Sequence, residues 1–284
     1  MDNAANGGLG VLFVLGGDGN GGLESNRNFT GYTNRSFTLE GLTDKLAQNG
    51  DIPPLLVVWP TEHGSTIECR DTRQAIDNWR TFVLPRLKQL FPKLSDKPEM
   101  RAVIGQSTEG AKAFDFAWRA PDVVGKVFSG SGSFVCFMRL GMTAFQDPTQ
   151  LVLCPIQPPP PKPGEQPAPP NLCCPVTGKD QTPLPGCDNF GYSKLVRSCA
   201  AKNLRVSLSV GKNDITPQGV PGQDDTSSCQ ANWLATNTDF AAALKEKGVE
   251  YQYVITPGGH GPDSWVAYAG DRFRWLFRDV MCFD

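Results

Sequence analysis

Apolar runs alternate along the chain with segments whose apolar residues recur at helical spacing. Short runs predict strands at residues 10–15, 53–59, 100–104, 125–129, 204–210 and 249–255. The first of these, Gly-Val-Leu-Phe-Val-Leu, is apolar throughout, as expected of a strand buried on both faces of a parallel sheet. Helical spacing is found at residues 37–49, 72–90, 111–119, 232–247 and 264–277. The pattern predicts an α/β fold, with a mostly parallel central sheet and helices on both faces.

The segment 154–190 interrupts this pattern. It is rich in proline, contains four consecutive prolines at 158–161 and has no amphipathic period, so we predict extended or irregular chain there. We interpret it as an insertion within a single domain spanning residues 1–284. Such an insertion is either a lid or rim over a pocket, or a passive surface loop.

Cysteines are concentrated in and around this insertion. The chain has nine cysteines, and those in or near the insertion are Cys154, Cys173, Cys174, Cys187, Cys199 and Cys229. Because the region has no C-x-x-C pair and no histidine, disulfides are favoured over a zinc site. Disulfides are typical of exported proteins, so we expect a secreted or otherwise exported protein whose signal segment is not part of these residues.

The overall charge and the motif content exclude several classes of partner. A formal net charge of −2 and a pI of about 5.8 provide no basic surface for nucleic acid. No apolar run approaches the roughly 20 residues needed to cross a bilayer. The glycine-rich loop 16–22 lacks the Lys-Ser/Thr of a phosphate-binding loop and does not open a helix. We therefore expect no metal, no cofactor, no nucleic acid and no membrane span.

The stretch 103–112, Val-Ile-Gly-Gln-Ser-Thr-Glu-Gly-Ala-Lys, carries the strongest chemical signal. A strand, a sharp turn and a helix follow one another there, which is the context of a nucleophile elbow with Ser107 at its tip. The strand and helix of such an elbow nearly touch, so small residues are expected two positions before and two after the serine. Gly105 meets this requirement and Glu109 does not.

A serine hydroxyl needs an adjacent base to act as a nucleophile near neutral pH, and the chain has only two histidines. His260 follows the last predicted strand, within a Pro-Gly-Gly-His-Gly loop that can hold the ring over the edge of the sheet. His63 precedes the serine in the chain, and we interpret it as a surface or rim residue. His260 is therefore the predicted base, with a structural histidine as the alternative.

The acid that orients the histidine is predicted to be Asp214, which directly follows a buried strand. Ser107, Asp214 and His260 then have the chain order Ser, acid, His that is found in α/β-hydrolases. Asp224, Asp225 and Asp263 are the other candidates. We interpret the first two as solvated loop residues and the third as a residue at a helix N-terminus.

Four segments together resemble the esterase D and enterochelin-esterase-like branch of the α/β-hydrolases. Residues 105–108 match its elbow, and residues 125–134, Gly-Lys-Val-Phe-Ser-Gly-Ser-Gly-Ser-Phe, resemble the short strand and Ser-Gly-Ser segment that follow it. Residues 210–214 resemble the acid segment of this branch, and residues 257–260 with Trp265 resemble its histidine loop and following tryptophan.

The resemblance implies a carboxylic ester hydrolase that needs no cofactor. Ser107 would be the nucleophile, His260 the base and Asp214 the acid. The oxyanion hole would be formed by the backbone N–H of Thr108 and by one N–H from the Gly17–Asp18 turn, although a flexible turn is the alternative for that loop. The expected substrate is a small-molecule or polymer-borne ester.

Two further interpretations remain open at this level. Glu109 places a carboxylate next to the elbow, where it would oppose the negative charge that develops on the oxyanion, so a non-catalytic binding protein on a degenerate hydrolase scaffold is an alternative. An acyltransferase with the same triad is another. Glu109, Trp265 and Phe134 are candidates for lining the substrate site, with burial in the core as the alternative for the two aromatic residues.

Overall fold

In a computed structural model of the protein, the described residues are 8–15, 39–59, 76–134, 192–215, 232–261 and 265–281. Within these residues, six strands form one sheet: β1 (Gly10–Val14), β2 (Leu55–Val58), β3 (Arg101–Gln106), β4 (Lys126–Gly130), β5 (Arg205–Gly211) and β6 (Glu250–Thr256). Their order is β2-β1-β3-β4-β5-β6, and every neighbouring pair is parallel. The carboxyl ends of the strands therefore lie along one edge of the sheet. Each strand predicted from the sequence is confirmed.

Helices connect and cover these strands. The α-helices are α1 (Leu39–Gln48), α2 (Leu84–Leu90), α3 (Thr108–Arg119), α4 (Tyr192–Ser198), α5 (Trp233–Glu246) and α6 (Ala269–Phe277). Single 3₁₀ turns precede β3 and α6, at Pro98–Met100 and Val266–Tyr268. A π-helical segment, Trp79–Val83, leads directly into α2.

The core lies in two layers, one on each face of the sheet. Val11 and Phe13 of β1 point into a cluster with residues of α3, α4 and α5, whereas Leu12 and Val14 point into a second cluster with residues of α1 and α6. Side chains of a strand alternate between the two faces, so an unbroken apolar run is what a strand covered on both sides requires. The fold class predicted from the sequence, an α/β sheet with helices on both faces, is confirmed.

Local sequence explains where two of the helices change or begin. The chain passes from π-helical to α-helical hydrogen bonding just before Pro85, since proline has no N–H to donate and its ring collides with the carbonyl four residues earlier. Helix α5 begins after Asn232, whose side-chain oxygen accepts a hydrogen bond from the N–H of Ala235 at 2.9 Å.

Several sequence predictions fall outside the described residues. The insertion 154–190 lies between β4 and α4 and is among them, as are eight of the nine cysteines, so its role and the disulfides stay predictions. The remaining cysteine, Cys199, is buried at the end of α4. Within the described part of the chain, no helix has the length and apolar character needed to cross a bilayer.

Candidate active site

Ser107 occupies the turn between β3 and α3. Its backbone has φ 56° and ψ −124°, in a region that non-glycine residues seldom adopt. Such backbone strain is concentrated at functional sites, where the surrounding structure holds it in place. Two backbone hydrogen bonds hold Ser107 in this conformation. Its N–H donates to the carbonyl oxygen of Gly130 at 2.9 Å, and its carbonyl oxygen accepts from the Ser133 N–H at 2.9 Å.

The close approach of strand and helix at this turn involves two glycines. A Cβ atom on Gly105 would lie 2.2 Å from the carbonyl oxygen of Glu109, so no side chain fits there. A Cβ atom on Gly110 would lie 2.7 Å from Ser129 Oγ and 3.1 Å from the Gly105 carbonyl oxygen. The small residue on the helix side is thus the third after the serine, and the expectation of a small residue at position 109 is wrong for this chain.

Glu109 is accommodated on the surface of α3. Its carboxylate accepts a hydrogen bond from Lys112 Nζ at 3.3 Å, one turn further along the helix, and about a quarter of each side chain is exposed. The pairing partly neutralises the carboxylate, whose position beside the elbow motivated the binding-protein interpretation.

A continuous set of hydrogen bonds joins the three residues expected to form a triad. Ser107 Oγ lies 2.8 Å from His260 Nε2, and His260 Nδ1 lies 2.6 Å from Asp214 Oδ1. The same Asp214 oxygen accepts the N–H of Ile215 at 2.7 Å. Residues separated by more than 40 positions along the chain, 107, 214 and 260, are therefore brought together at the carboxyl edge of the sheet.

The loops after β5 and β6 are tied to each other, which fixes the acid relative to the histidine. The N–H of Lys212 donates to Thr256 and the N–H of Asn213 donates to Gly258, at 2.7 and 3.0 Å. A Cβ atom on Gly211 would lie 2.3 Å from the carbonyl oxygen of Gly259, so the two loops are in direct contact there. The histidine loop is also tied to the elbow, because Gln106 Nε2 donates to the His260 carbonyl at 3.0 Å.

The acid is shielded from water while the imidazole remains reachable. The Asp214 side chain is 0% exposed and that of His260 is 25% exposed. Trp233, at the first position of α5, packs its ring against the imidazole in a T-shaped contact with centroids 5.1 Å apart. Burial raises the pKa of the nearby Tyr253 hydroxyl, and the negative charge of Asp214 adds to the effect.

The predicted oxyanion donors are only partly within the described residues. Thr108 is the first residue of α3, where backbone N–H groups have no partner within the helix and the helix dipole favours negative charge. Gly17 and Asp18 lie outside the described residues. Strand β1 pairs with β3 through Val14 and Ile104, so the chain leaves β1 beside the elbow.

Phe134 and Trp265, two of the candidates for lining the substrate site, are buried. Phe134 stacks on Phe240 with ring centroids 4.0 Å apart, and Trp265 makes a T-shaped contact with Phe128. The ring of Trp265 also covers Gly130, where a Cβ atom would come within 2.9 Å of it. These contacts favour the alternative, a packing role, for both aromatic residues.

Four residues of the site were not identified from the sequence: Gln106, Ser133, Trp233 and Asn237. Ser133 belongs to the Ser-Gly-Ser segment that resembles the esterase branch, but nothing in the sequence pattern indicates that its side chain reaches the nucleophile. Trp233 and Asn237 lie in a helix whose apolar spacing predicts only packing. No group of three or more His, Cys, Asp or Glu side chains suited to a metal occurs within the described ranges.

Comparison with known proteins identifies the family of the chain. The family model Esterase matches residues 2–271. A search of curated protein sequences gives no significant match.

Solved structures with similar folds include several hydrolases. A ferulic acid esterase aligns with a TM-score of 0.52 and 17% sequence identity over 96% of this chain and 85% of its own. The enterobactin esterase FES from Shigella flexneri aligns with a TM-score of 0.53 and 16% sequence identity over 96% of this chain and 53% of its own. FphF, a fluorophosphonate-binding serine hydrolase from Staphylococcus aureus, aligns with a TM-score of 0.53 and 15% sequence identity over 98% of this chain and 87% of its own.

At such low identity these structures establish the fold, while the family match establishes the relationship. The chain spans about half the length of the enterobactin esterase, so features of that larger protein are not carried over. The resemblance inferred from the elbow, acid and histidine segments is confirmed at the family level. The chain therefore belongs to the Esterase family, has the α/β-hydrolase fold and is a carboxylic ester hydrolase.

Proposed function

We propose that the protein cleaves its ester through an acyl-enzyme formed on Ser107, with His260 as general base and Asp214 as the acid that orients it. The observation that carries the proposal is the unbroken path of hydrogen bonds from Ser107 Oγ through the imidazole to the buried carboxylate, at 2.8 and 2.6 Å. Both distances lie within the range for general acid–base catalysis.

The hydrogen-bond partners assign the imidazole tautomer. A carboxylate only accepts, so His260 Nδ1 carries the proton and donates it to Asp214. Nε2 then has a free lone pair that accepts the Ser107 hydroxyl proton. The buried negative charge of Asp214 stabilises the imidazolium that forms when this proton moves.

The reaction follows in two steps. Ser107 Oγ attacks the ester carbonyl carbon as its proton passes to His260 Nε2, and the carbonyl electron pair moves onto oxygen. The tetrahedral intermediate collapses with cleavage of the bond to the alcohol oxygen, which takes the proton from Nε2. Water then attacks the acyl-enzyme with its proton passing to Nε2, and the bond to Ser107 Oγ breaks as that proton returns to the serine.

The oxyanion of each intermediate would be stabilised by the N–H of Thr108 and by an N–H of the Gly17–Asp18 turn. The position of Thr108 at the start of α3 supports the first donor, since both the amide and the helix dipole favour negative charge there. The adjacency of β1 and β3 supports a donor from the loop that follows β1.

The substrate class is proposed as a small-molecule or polymer-borne carboxylic ester. The named activities of the ferulic acid esterase and the enterobactin esterase suggest feruloyl esters and ester macrolactones as the first candidates. A panel of short-chain acyl, feruloyl and macrolactone esters, ranked by kcat/KM, would identify the preferred class. The panel would include alcohol acceptors, because transesterification exceeding hydrolysis would favour the acyltransferase interpretation.

The nucleophile is tested with a fluorophosphonate probe followed by peptide mapping. We expect a stoichiometric adduct on Ser107, and a loss of about 10³-fold or more in kcat/KM for Ser107→Ala. An adduct elsewhere, or ester turnover retained in Ser107→Ala, would contradict the proposed mechanism. Saturable ester binding without turnover in the unmodified protein would favour a binding function instead.

A further inference from the structure

A second hydroxyl group contacts the proposed nucleophile. Ser133 Oγ lies 3.2 Å from Ser107 Oγ, and Ser133 is 2% exposed. The backbone of the two residues is joined as well, through the Ser133 N–H and the Ser107 carbonyl at 2.9 Å. The two side chains are therefore held side by side by a bond that does not depend on either hydroxyl.

The direction of the hydroxyl–hydroxyl bond follows from the rest of the path. His260 Nδ1 donates to the Asp214 carboxylate, so Nε2 accepts, and Ser107 must direct its single proton to Nε2. Ser107 Oγ then has only lone pairs to offer Ser133. The Ser133 hydroxyl is accordingly the donor and Ser107 Oγ the acceptor.

Ser133 is held in place by a buried side chain on α5. Asn237 Nδ2 donates to the Gly132 carbonyl at 2.8 Å and to the Trp233 carbonyl at 2.8 Å, and Asn237 is 0% exposed. On the other side of the loop, the Ser131 N–H donates to the Ser209 carbonyl at 2.7 Å. Helix α5 therefore positions the segment that carries Ser133 as well as the ring of Trp233 beside His260.

We infer that the Ser133 hydroxyl is a catalytic hydrogen-bond donor to Ser107 Oγ, an inference that rests on the proposed role of Ser107 as nucleophile. As the Ser107 proton leaves for His260, negative charge develops on Oγ, and a donor already aimed at that atom stabilises it. The same holds when the acyl bond to Oγ breaks during deacylation. The Ser133 proton stays on Ser133 throughout, so the proton transfers of the proposed reaction are unchanged.

The donor also selects which lone pair attacks. Ser107 Oγ has two lone pairs, and one of them is occupied by the Ser133 proton. The other is left to face the ester carbon, so the nucleophile meets its substrate in one orientation. This preorganisation differs from the oxyanion hole, because it acts on the attacking oxygen instead of the carbonyl oxygen.

The test compares Ser133→Ala with Ser129→Ala, a matched control. Ser129 is also fully buried, at the end of β4, and its hydroxyl has no hydrogen-bond partner among the described residues. We expect Ser133→Ala to lower both kcat and kcat/KM about 10-fold, which corresponds to about 1.4 kcal/mol, with KM nearly unchanged. The rate of fluorophosphonate labelling at Ser107 should fall by a similar factor, and Ser133→Thr, which keeps the hydroxyl, should recover part of the loss.

Several outcomes would overturn the inference. Ser133→Ala activity within twofold of the unmodified protein would do so, as would equal losses in Ser129→Ala, which would indicate a general disturbance of the loop. A loss confined to KM would assign Ser133 to substrate binding. Thermal unfolding and the labelling rate are measured on each variant, so a folding defect is recognised by a lowered melting temperature.

If the unmodified protein is not labelled at Ser107, the proposed function and this inference both fail. Labelling of the unmodified protein together with undiminished Ser133→Ala defeats this inference alone.

Discussion

Buried charges lie at both the amino edge of the central sheet, where the strands begin, and the carboxyl edge, where they end. The two edges differ in what those charges are paired with. At the amino edge, β4, β5 and β6 begin with Lys126, Arg205 and Glu250, which lie side by side in the sheet register. At the carboxyl edge the same part of the sheet carries the buried carboxylate Asp214, whose side-chain partner is the imidazole of His260.

Charges of opposite sign are paired at the amino edge. The Lys126 ammonium is 1% exposed and donates to both oxygens of Asp279, at 2.7 and 2.9 Å. Arg205 bridges Asp279 and Glu250 at 2.6 and 2.9 Å. Burial lowers the pKa of Lys126, and the hydrogen bonds to Asp279 oppose that shift. Each charged group at this edge is thus paired with a group of opposite charge, and the arrangement stabilises the fold.

At the carboxyl edge, the ion-pair partner of Asp214 among the described residues is the imidazole of His260 and not a lysine or an arginine. Asp214 Oδ1 accepts the N–H of Ile215 and bonds to the imidazole of His260, whereas the buried Oδ2 has no hydrogen-bond partner among the described residues. The backbone at Ser107 is strained in addition. A charge paired with an opposite charge supports structure, whereas a carboxylate that faces an imidazole is available to stabilise a charge that appears during a reaction.

The largest expected effect on kcat comes from an Asp-to-Asn substitution at the carboxyl edge, and the same substitution at the amino edge is its control. Asp214→Asn should lower kcat by about 10³–10⁴-fold, because an amide no longer enforces the proton on His260 Nδ1 or stabilises the imidazolium. Asp279→Asn at the amino edge should lower the free energy of unfolding while leaving kcat within about twofold. Steady-state kinetics and urea unfolding of both variants make the comparison. Equal kinetic losses would show that the edges are not functionally distinct.

Removing the buried cation should affect stability alone. Lys126→Ala deletes a side chain that pairs with Asp279 and lies over the Phe277 ring, so we expect a loss of about 2–3 kcal/mol in the free energy of unfolding. Lys126→Met keeps most of the packing and should lose about 1 kcal/mol, since Arg205 still pairs with Asp279. Urea denaturation measures both losses, and kcat/KM at 25 °C should be unchanged. A kinetic defect in the folded variants would contradict this account.

Relieving the backbone strain at the Ser107 turn should raise the free energy of unfolding and abolish ester hydrolysis. Ser107→Gly removes the Cβ atom from a residue at φ 56°, so we expect the free energy of unfolding to rise by about 1 kcal/mol while hydrolysis is lost. Ser129→Gly is the control, because that residue lies within β4 and glycine should weaken the strand there. A fall in stability for Ser107→Gly would mean that the serine side chain stabilises the turn more than its backbone strain costs.

The smallest effect is expected at Glu109. Its carboxylate is paired with Lys112 and partly exposed to solvent, so Glu109→Gln should change kcat/KM by less than about threefold. A large gain in activity on removing this charge would instead support the interpretation in which Glu109 suppresses catalysis. The ester assay used for the other variants is sufficient to decide between the two.

The order and type of the elements could be read from the sequence because each carries its own signal. The apolar run of β1 and the elbow glycine at Gly105 act over short distances along the chain. The roles proposed for Ser107, Asp214 and His260 could be inferred from their positions after strands, since parallel strands bring such positions to one edge. The expectation of a small residue at position 109 is wrong because the sequence alone does not show which residue of the first helical turn must lack a side chain.

The periodicity of burial, the alternation of strands and helices and the edge of the sheet at which polar residues gather all follow from the amino-acid sequence. Which residues touch depends on the packed fold: Gly110, and not position 109, must lack a side chain, Ser133 lies beside the nucleophile, and Trp233 and Asn237 lie behind the site. Periodicity is a property of neighbouring residues in one element, whereas a hydrogen bond of about 3 Å between distant residues depends on how several packed elements are placed together.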